Sequence, residues 1–233
     1  MRRHDSDLLN FISENAQTLP DGKLPSLEEL SARLKISTGK LREQLEVARS
    51  LGIVEVRPRT GIRLTEYAFG PAVRFSLLYA LSTDHTLFES FSELRNHVES
   101  AFFHEAIERL TSEDYLTLQT LMQQAWDKLE GDPIRIPHAE HRALHLTIFS
   151  RLNNPFVRGI LEAYWDAYEA EGLSVFSDLE YLNEVWRYHD GIVKAIIRKD
   201  GSEGHKLLVQ HSKLIQRIPK SKAARHKNGV RTA

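Results

Sequence analysis

The chain has 233 residues, of which 41% are hydrophobic, 27% charged and 9% aromatic, enough for a real core in one large or two smaller domains. Its 31 Lys and Arg against 32 Asp and Glu give a formal net charge of −1, which excludes a uniformly basic nucleic-acid binder and a highly charged disordered chain. With no cysteine, disulfides, thiolate metal sites, iron–sulfur clusters and cysteine nucleophiles are excluded as well.

Residues 5–18 carry Leu8, Leu9, Phe11, Ile12 and Ala16 near one helical face, with Asp5 or Ser6 as cap. A Pro20-Asp21-Gly22 turn follows. Ser26 is the N-cap of a short helix with Glu28 and Glu29 in its first turn, burying Leu27, Leu30 and Leu34. Ser37 caps the next helix, which runs to about Ser50 with Leu41, Leu45 and Ala48 inward, and Gly52 stops it. Residues 53–56 and 62–64 alternate as strands, and Arg57-Pro58-Arg59-Thr60-Gly61 reads as the hairpin tip between them. Three helices and a two-stranded ribbon make a winged helix-turn-helix over residues 1–68. From Pro71 onward helical periodicity runs through 71–82, 86–109, 112–130, 137–151, 155–171, 178–199 and 202–217, interrupted where Ser-Thr-Asp, Gly-Asp-Pro, Asn-Asn-Pro and Asp-Gly breakers fall. The expected fold is mainly α, with the winged head followed by an all-α bundle of about seven helices over 69–217. A basic tail without acids, residues 218–233, is expected to be disordered.

The second helix of a helix-turn-helix enters the major groove with its N-terminal residues at base edges. Here it begins Ser37-Thr38-Gly39-Lys40-Leu41-Arg42. Lys40 and Arg42 can reach bases or phosphates, and Thr38 a thymine methyl or a phosphate. Arg57, Arg59 and Arg63 lie in or beside the wing, where Gly61 permits positive φ and close backbone approach to the minor groove. Taken singly these are ordinary solvated charges; their clustering at one helix N-terminus and one wing points to DNA. Gly22-Lys23-Leu24-Pro25-Ser26, Leu30, Ile36-Ser37, Leu41-Arg42-Glu43-Gln44-Leu45, Leu51-Gly52-Ile53-Val54 and Gly61 resemble the GntR family DNA-binding domain across residues 5–66. The resemblance implies contacts to DNA from Ser26, Ser37, Thr38, Lys40, Arg42, Arg57, Arg59 and Gly61. The chain departs from the family where Leu27-Glu28 replaces Glu-Arg and Ser37-Thr38-Gly39 replaces Ser-Arg-Thr. Two DNA-contacting arginines are thereby lost. Each bidentate arginine–guanine contact is worth about 1–3 kcal/mol of discrimination, so an operator unlike the usual family one is expected, or weaker binding that leans on Lys40, the wing and dimerisation.

Eleven histidines are the unusual count. His141 and His145 stand at i, i+4 on one helix face, a spacing that suits two ligands on one metal; His189 and His211, read alone, are core or surface residues. Glu93-Leu94-Arg95 with Glu99, Leu144-His145 with Phe149-Ser150 and Asn153-Asn154-Pro155, and His189-x-x-Ile192 through Lys199-Asp200 to His211 resemble the FCD effector domain, the partner of the FadR subfamily of GntR regulators, over residues 71–217. That resemblance implies metal ligands at His141, where the family has Asp, and at His145, His189 and His211, with Arg95 anchoring a carboxylate effector. Arg95 could equally form an i, i+4 salt bridge to Glu99. Leu144 replaces the usual Phe and Gly204 the usual Ala.

Four neutral nitrogen donors suit a divalent transition metal, zinc or nickel foremost, and disfavour magnesium or calcium. Losing a carboxylate either strengthens the pull on an anionic effector or permits a closed tetrahedral site. Tyr164, Trp165, Tyr168, Tyr181 and Tyr188 read as bundle core. No paired general acid and base, nucleophile motif or glycine-rich phosphate loop accompanies the histidines, so no enzyme is expected. The implied function is a ligand-responsive homodimeric regulator of double-stranded operator DNA that binds a small organic acid, or a regulator for which the ion itself is the signal. No run approaches 18 apolar residues and the N-terminus does not read as a signal peptide, so no membrane role and a cytoplasmic location are expected.

Overall fold

A computed structural model describes residues 5–57, 61–172 and 178–214. The wing tip at 58–60, including Arg59, and the basic tail lie outside them. The chain divides into two compact units between Ser76 and Leu77.

In the first unit, α1 (Asp7–Asn15) is capped by Ser6, whose hydroxyl accepts from Leu9 N. It ends earlier than the expected Thr18 because Ala16–Thr18 tightens into a 3-10 turn. Ser26 and Glu29 form a reciprocal capping box that starts α2 (Leu27–Leu34). Ser37 caps α3 (Thr38–Ser50) by accepting from Lys40 N. The wing pairs β1 (Val54–Arg57) antiparallel with β2 (Gly61–Leu64), Val56 facing Ile62 and Arg57 facing Gly61. Leu24 N donates to Ile62 O and so ties the chain ahead of α2 to the wing. Leu8, Leu30, Leu41 and Ala48, all fully buried, meet Ile12, Leu24, Val54 and Ile62 in the head's core. Gln44 fastens α1 to α3: its Oε1 accepts from Leu8 N at 2.8 Å and from Ser6 Oγ at 3.2 Å.

Gly52 is the residue the head can least exchange. Its φ is +68°, and a Cβ there would stand 2.6 Å from Pro71 Cγ and 2.9 Å from Pro71 Cβ. The left-handed backbone alone costs a non-glycine residue about 1–2 kcal/mol, and the proline contact adds to it. Gly52→Ala is expected to destabilise the head by at least that amount, read as a lower denaturant midpoint for its unfolding; an unchanged midpoint would contradict the geometry.

Among the described residues seven helices follow: α4 (Gly70–Thr83), α5 (Leu87–Glu108), α6 (Ser112–Leu129), α7 (His138–Ile148), α8 (Pro155–Ala170), α9 (Leu179–Ile197) and α10 (Gly201–Ser212). Their starts follow local chemistry. Thr111 with Asp114 forms a second capping box, Asn154 caps α8 with Pro155 in its first turn, and Asp178 and Asp200 cap α9 and α10. Helix α10 packs on α9 and α5, α6 on α7 and α9, and α8 on α5. Phe103, Leu118, Leu144, Ile148, Trp186 and Ile192 fill the shared core. Gly204 lies over Phe103: an alanine Cβ would come within 3.1 Å of its ring, so the missing methyl makes room for the phenyl. Within this unit α5, α7, α9 and α10 aim their polar buried residues at one place.

Candidate metal centre and nucleic-acid interface

His141 and His145 leave the same face of α7; His189 comes from the middle of α9, and His211 from the last turn of α10. One ring nitrogen from each lies within 4.8 Å of the other three. Nε2 of His189 is the hub, 3.1 Å from Nε2 of His145 and 3.1 Å from Nε2 of His211. His145 and His189 are fully buried and His211 nearly so, while His141 keeps part of its surface accessible. Burial pushes the imidazoles of all four well below their usual range, and the neighbouring rings and Arg95 push the same way. They are therefore neutral at pH 7, the state in which imidazole offers a lone pair to a metal.

The donor set fits a transition metal. With metal–nitrogen bonds of about 2.0–2.1 Å, ligand nitrogens stand about 3 Å apart at right angles and about 3.4 Å apart in a tetrahedron. The two 3.1 Å separations lie in that range. His141 Nε2 is buried with no hydrogen-bond partner among the described residues, as a nitrogen reserved for a ligand would be. Trp165 lies edge-on to His141, ring centroids 4.6 Å apart, and Trp186 edge-on to His189 at 4.8 Å. These aromatics exclude water from the cluster and lower its dielectric.

Arg95, on α5, is buried beside the histidines. Its Nη2 lies 2.8 Å from Glu99 Oε1 and 2.8 Å from His145 Nδ1, and its Nη1 donates to Asn96 Oδ1 at 3.1 Å. Its guanidinium stacks over Tyr164, 4.7 Å from the ring centre, and burial pushes the Tyr164 phenol up to about 12. The salt bridge to Glu99 and the place next to the histidines therefore coexist. The sequence marks Glu99 as part of the FCD-like pattern and as a partner for Arg95, not as a neighbour of the histidines. Glu99 Oε1 also lies 3.1 Å from His145 Nδ1, and burial raises its carboxyl above the ordinary range against the pull of Arg95. The signal that could have found it is the spacing: Ser92, Arg95 and Glu99 interrupt an otherwise apolar inward face of α5. Tyr164, Trp165 and Tyr168 are buried as expected, yet the Trp165 ring also walls the histidines. His138 stacks on Tyr168 with rings 8° from parallel. Glu140 turns away from the cluster toward Lys128, at 2.6 Å.

In the head, Thr38 opens α3 and Arg42 stands exposed one turn later, without an ion pair among the described residues. Lys40 Nζ is held by Asp7 Oδ2 at 2.9 Å, and Arg57 Nη2 by Glu55 Oε2 at 2.9 Å. The hydroxyls of Ser26 and Ser37 are engaged as caps. Gly61 adopts φ +82°, as its place at the wing requires.

Residues 90–214 match the model of the FCD domain. The chain is 24% identical over 208 residues to the uncharacterized HTH-type transcriptional regulator YcbG of Bacillus subtilis strain 168, covering 88% of this chain and 84% of that protein. It is 21% identical over 203 residues to the HTH-type transcriptional regulator LutR of the same organism, covering 85% and 91%. Streptococcus agalactiae GntR superposes with a TM-score of 0.63 at 22% identity over 90% of this chain and 95% of that one, a likeness of fold. The relatives are regulators rather than enzymes. With an FCD domain over more than half its length, behind a helix-turn-helix that carries a two-stranded wing, the chain belongs to the GntR family of DNA-binding transcriptional regulators, among those with an FCD effector domain.

Proposed function

We propose that this regulator binds double-stranded operator DNA as a homodimer in the cytoplasm, and that its FCD domain holds a divalent transition metal, zinc or nickel, on His141, His145, His189 and His211, with a small organic acid as effector. The observation that carries the metal assignment is the convergence of four neutral, buried ring nitrogens within 4.8 Å. When bound, the ion supplies a Lewis-acidic centre for an effector carboxylate. The chain's own residues do the rest: the histidines set the ion's place, Trp165 and Trp186 keep water out, and Arg95 stands ready on the same side as His145. By linkage, operator must change effector affinity by the same factor that effector changes operator affinity. Titrating carboxylates into the metal-loaded protein with and without operator tests this; equal affinities in both would sink the allosteric reading.

One observation favours the second reading, in which the ion itself is the signal. Arg95 already has a buried carboxylate partner in Glu99, so an effector has to compete for it. Operator binding measured at buffered free zinc and nickel with no organic acid separates the two. Metal-dependent binding under those conditions supports a metal sensor, and its absence supports a carboxylate effector.

On the DNA side Arg42 is the residue with most to lose. Arg42→Ala is expected to weaken operator binding by about 1–3 kcal/mol if it pairs with a guanine, measured by fluorescence anisotropy at fixed salt. Lys40→Ala is expected to cost less, because Lys40 must first leave Asp7.

A further inference from the structure

Two groups compete for one nitrogen of His145. Its Nδ1 lies 2.8 Å from Arg95 Nη2 and 3.1 Å from Glu99 Oε1, with all three side chains buried. A neutral imidazole carries one proton. If Nδ1 carries it, the N–H donates to Glu99, and Nε2 directs a lone pair toward His189 and the other rings. If Nδ1 is bare it accepts from Arg95, and the proton sits on Nε2, pointing at His189 Nε2 3.1 Å away and closing that position to a metal. A carboxylate and a guanidinium on the same helix thus select opposite tautomers of the same ring.

We propose that Glu99 is the positioning residue that makes His145 a metal ligand and that Arg95 opposes it, so that metal affinity is set by which of the two holds His145 Nδ1. This rests on the four-histidine metal reading. It also supplies a route for regulation. A carboxylate ligand that draws the Arg95 guanidinium to itself leaves Nδ1–H to Glu99 and tightens the metal; by reciprocity the metal tightens the carboxylate equally. Glu99 returns, one bond further out, the negative charge that the site lacks with histidine at 141.

The test is zinc and nickel affinity of the full chain by chelator competition, together with 15N spectra of the histidine rings in the metal-free protein. Glu99→Ala is expected to weaken metal binding roughly 10–100-fold, the range for loss of a group that orients a ligand histidine. Glu99→Gln, whose amide oxygen still accepts from Nδ1–H, is expected to fall between. Arg95→Met is expected to act in the opposite direction, tightening the metal several-fold and moving His145 toward its Nδ1–H form. A purely structural ion pair would weaken binding in both single variants; that result, or unchanged affinities, overturns the proposal. If either single variant does not fold, the Arg95→Met/Glu99→Ala double variant removes both charges together and is expected to leave His145 a mixture of tautomers; a single tautomer unchanged from the parent overturns it. A parent protein that binds neither metal removes the metal reading itself, while the metal-free spectra still report whether Arg95 and Glu99 select the tautomer.

Discussion

Replacing His189 with alanine is expected to abolish the stabilisation that zinc or nickel gives this protein. His189 Nε2 lies 3.1 Å from Nε2 of both His145 and His211, so its loss removes the hub of the cluster. Binding to the folded state alone stabilises by about 4 kcal/mol when free metal is a thousandfold above its dissociation constant. For a domain of this size each kcal/mol moves the melting temperature by about 2–4 °C, so the parent protein should melt roughly 10 °C higher with metal than with chelator. His189→Ala also leaves a cavity and lowers the baseline, and for that reason the informative quantity is the difference between metal and chelator within each variant. That difference should vanish in His189→Ala and persist in His97→Ala, whose ring is exposed and bonded to the Glu93 carbonyl. A parent without the difference refutes the metal assignment; a His189→Ala variant that keeps it refutes the geometry.

Acidification of the metal-free protein is the second large effect. His141, His145, His189 and His211 all have folded-state pKa values well below the ordinary 6.5, chiefly through burial. Well above pH 6.5 they are neutral folded or unfolded and do not alter stability with pH. Below it the unfolded chain takes up protons that the folded cluster refuses, so stability falls as pH falls, by up to about 1.4 kcal/mol per pH unit for each histidine. Glu99 acts the other way, because its raised pKa lets the folded state hold a proton longer. It is one group against four. Urea unfolding at pH 7.5, 6.5 and 5.5 should therefore show a shallow loss over the upper interval and a steeper one over the lower. An equal midpoint at pH 6.5 and 5.5 would falsify the burial argument. Bound metal should steepen the acid limb, since protons compete with it for the same nitrogens.

The heads and ends of helices were legible because they depend on neighbours in the chain. Ser26 and Ser37 cap through atoms three residues away, the breakers at Thr111 and Asn154 turn out to be caps as well, and Gly52 and Gly61 take the positive φ that a stop and a wing demand. The core of the head was legible through the 3.6-residue period of Leu27, Leu30 and Leu34 and the alternation in the wing. Where α1 ended early, a 3-10 turn had the same hydrogen-bonding residues available and the sequence pattern does not separate the two. Among the described residues seven further helices stand close to where periodicity and breakers placed them, although α7 stops at Ile148 short of the expected 151 and α10 at Ser212 short of 217, and the fold class follows from that. Arg63, grouped with the wing cations, pairs through its backbone with Lys23 and donates from Nη1 to the Asp21 carbonyl at 3.5 Å.

The histidines divide the credit differently. That His141 and His145 share a face is a property of helical spacing and needs nothing beyond the chain. That they meet His189 and His211, 44 and 22 residues further along the path of contacts, depends on how α7, α9 and α10 pack, because side-chain direction is set by helix rotation and no local pattern encodes it. The same packing decided Arg95 and Glu99. Sequence allowed either a surface ion pair or an effector anchor; burial of α5 against α7 and α8 put both charges beside His145, where a low dielectric makes every partner count. The opening charge balance changes meaning in the same way. The net −1 sums +1 over residues 1–68, −8 over 69–216 and +6 over 217–233, and within the head Lys40 and Arg57 are already paired. The sequence by itself determined the elements, their order and the types of donor available, because those rest on local hydrogen bonding and composition. Only the tertiary structure decided which donors converge and which charges cancel, because distance and desolvation exist only once the helices are packed.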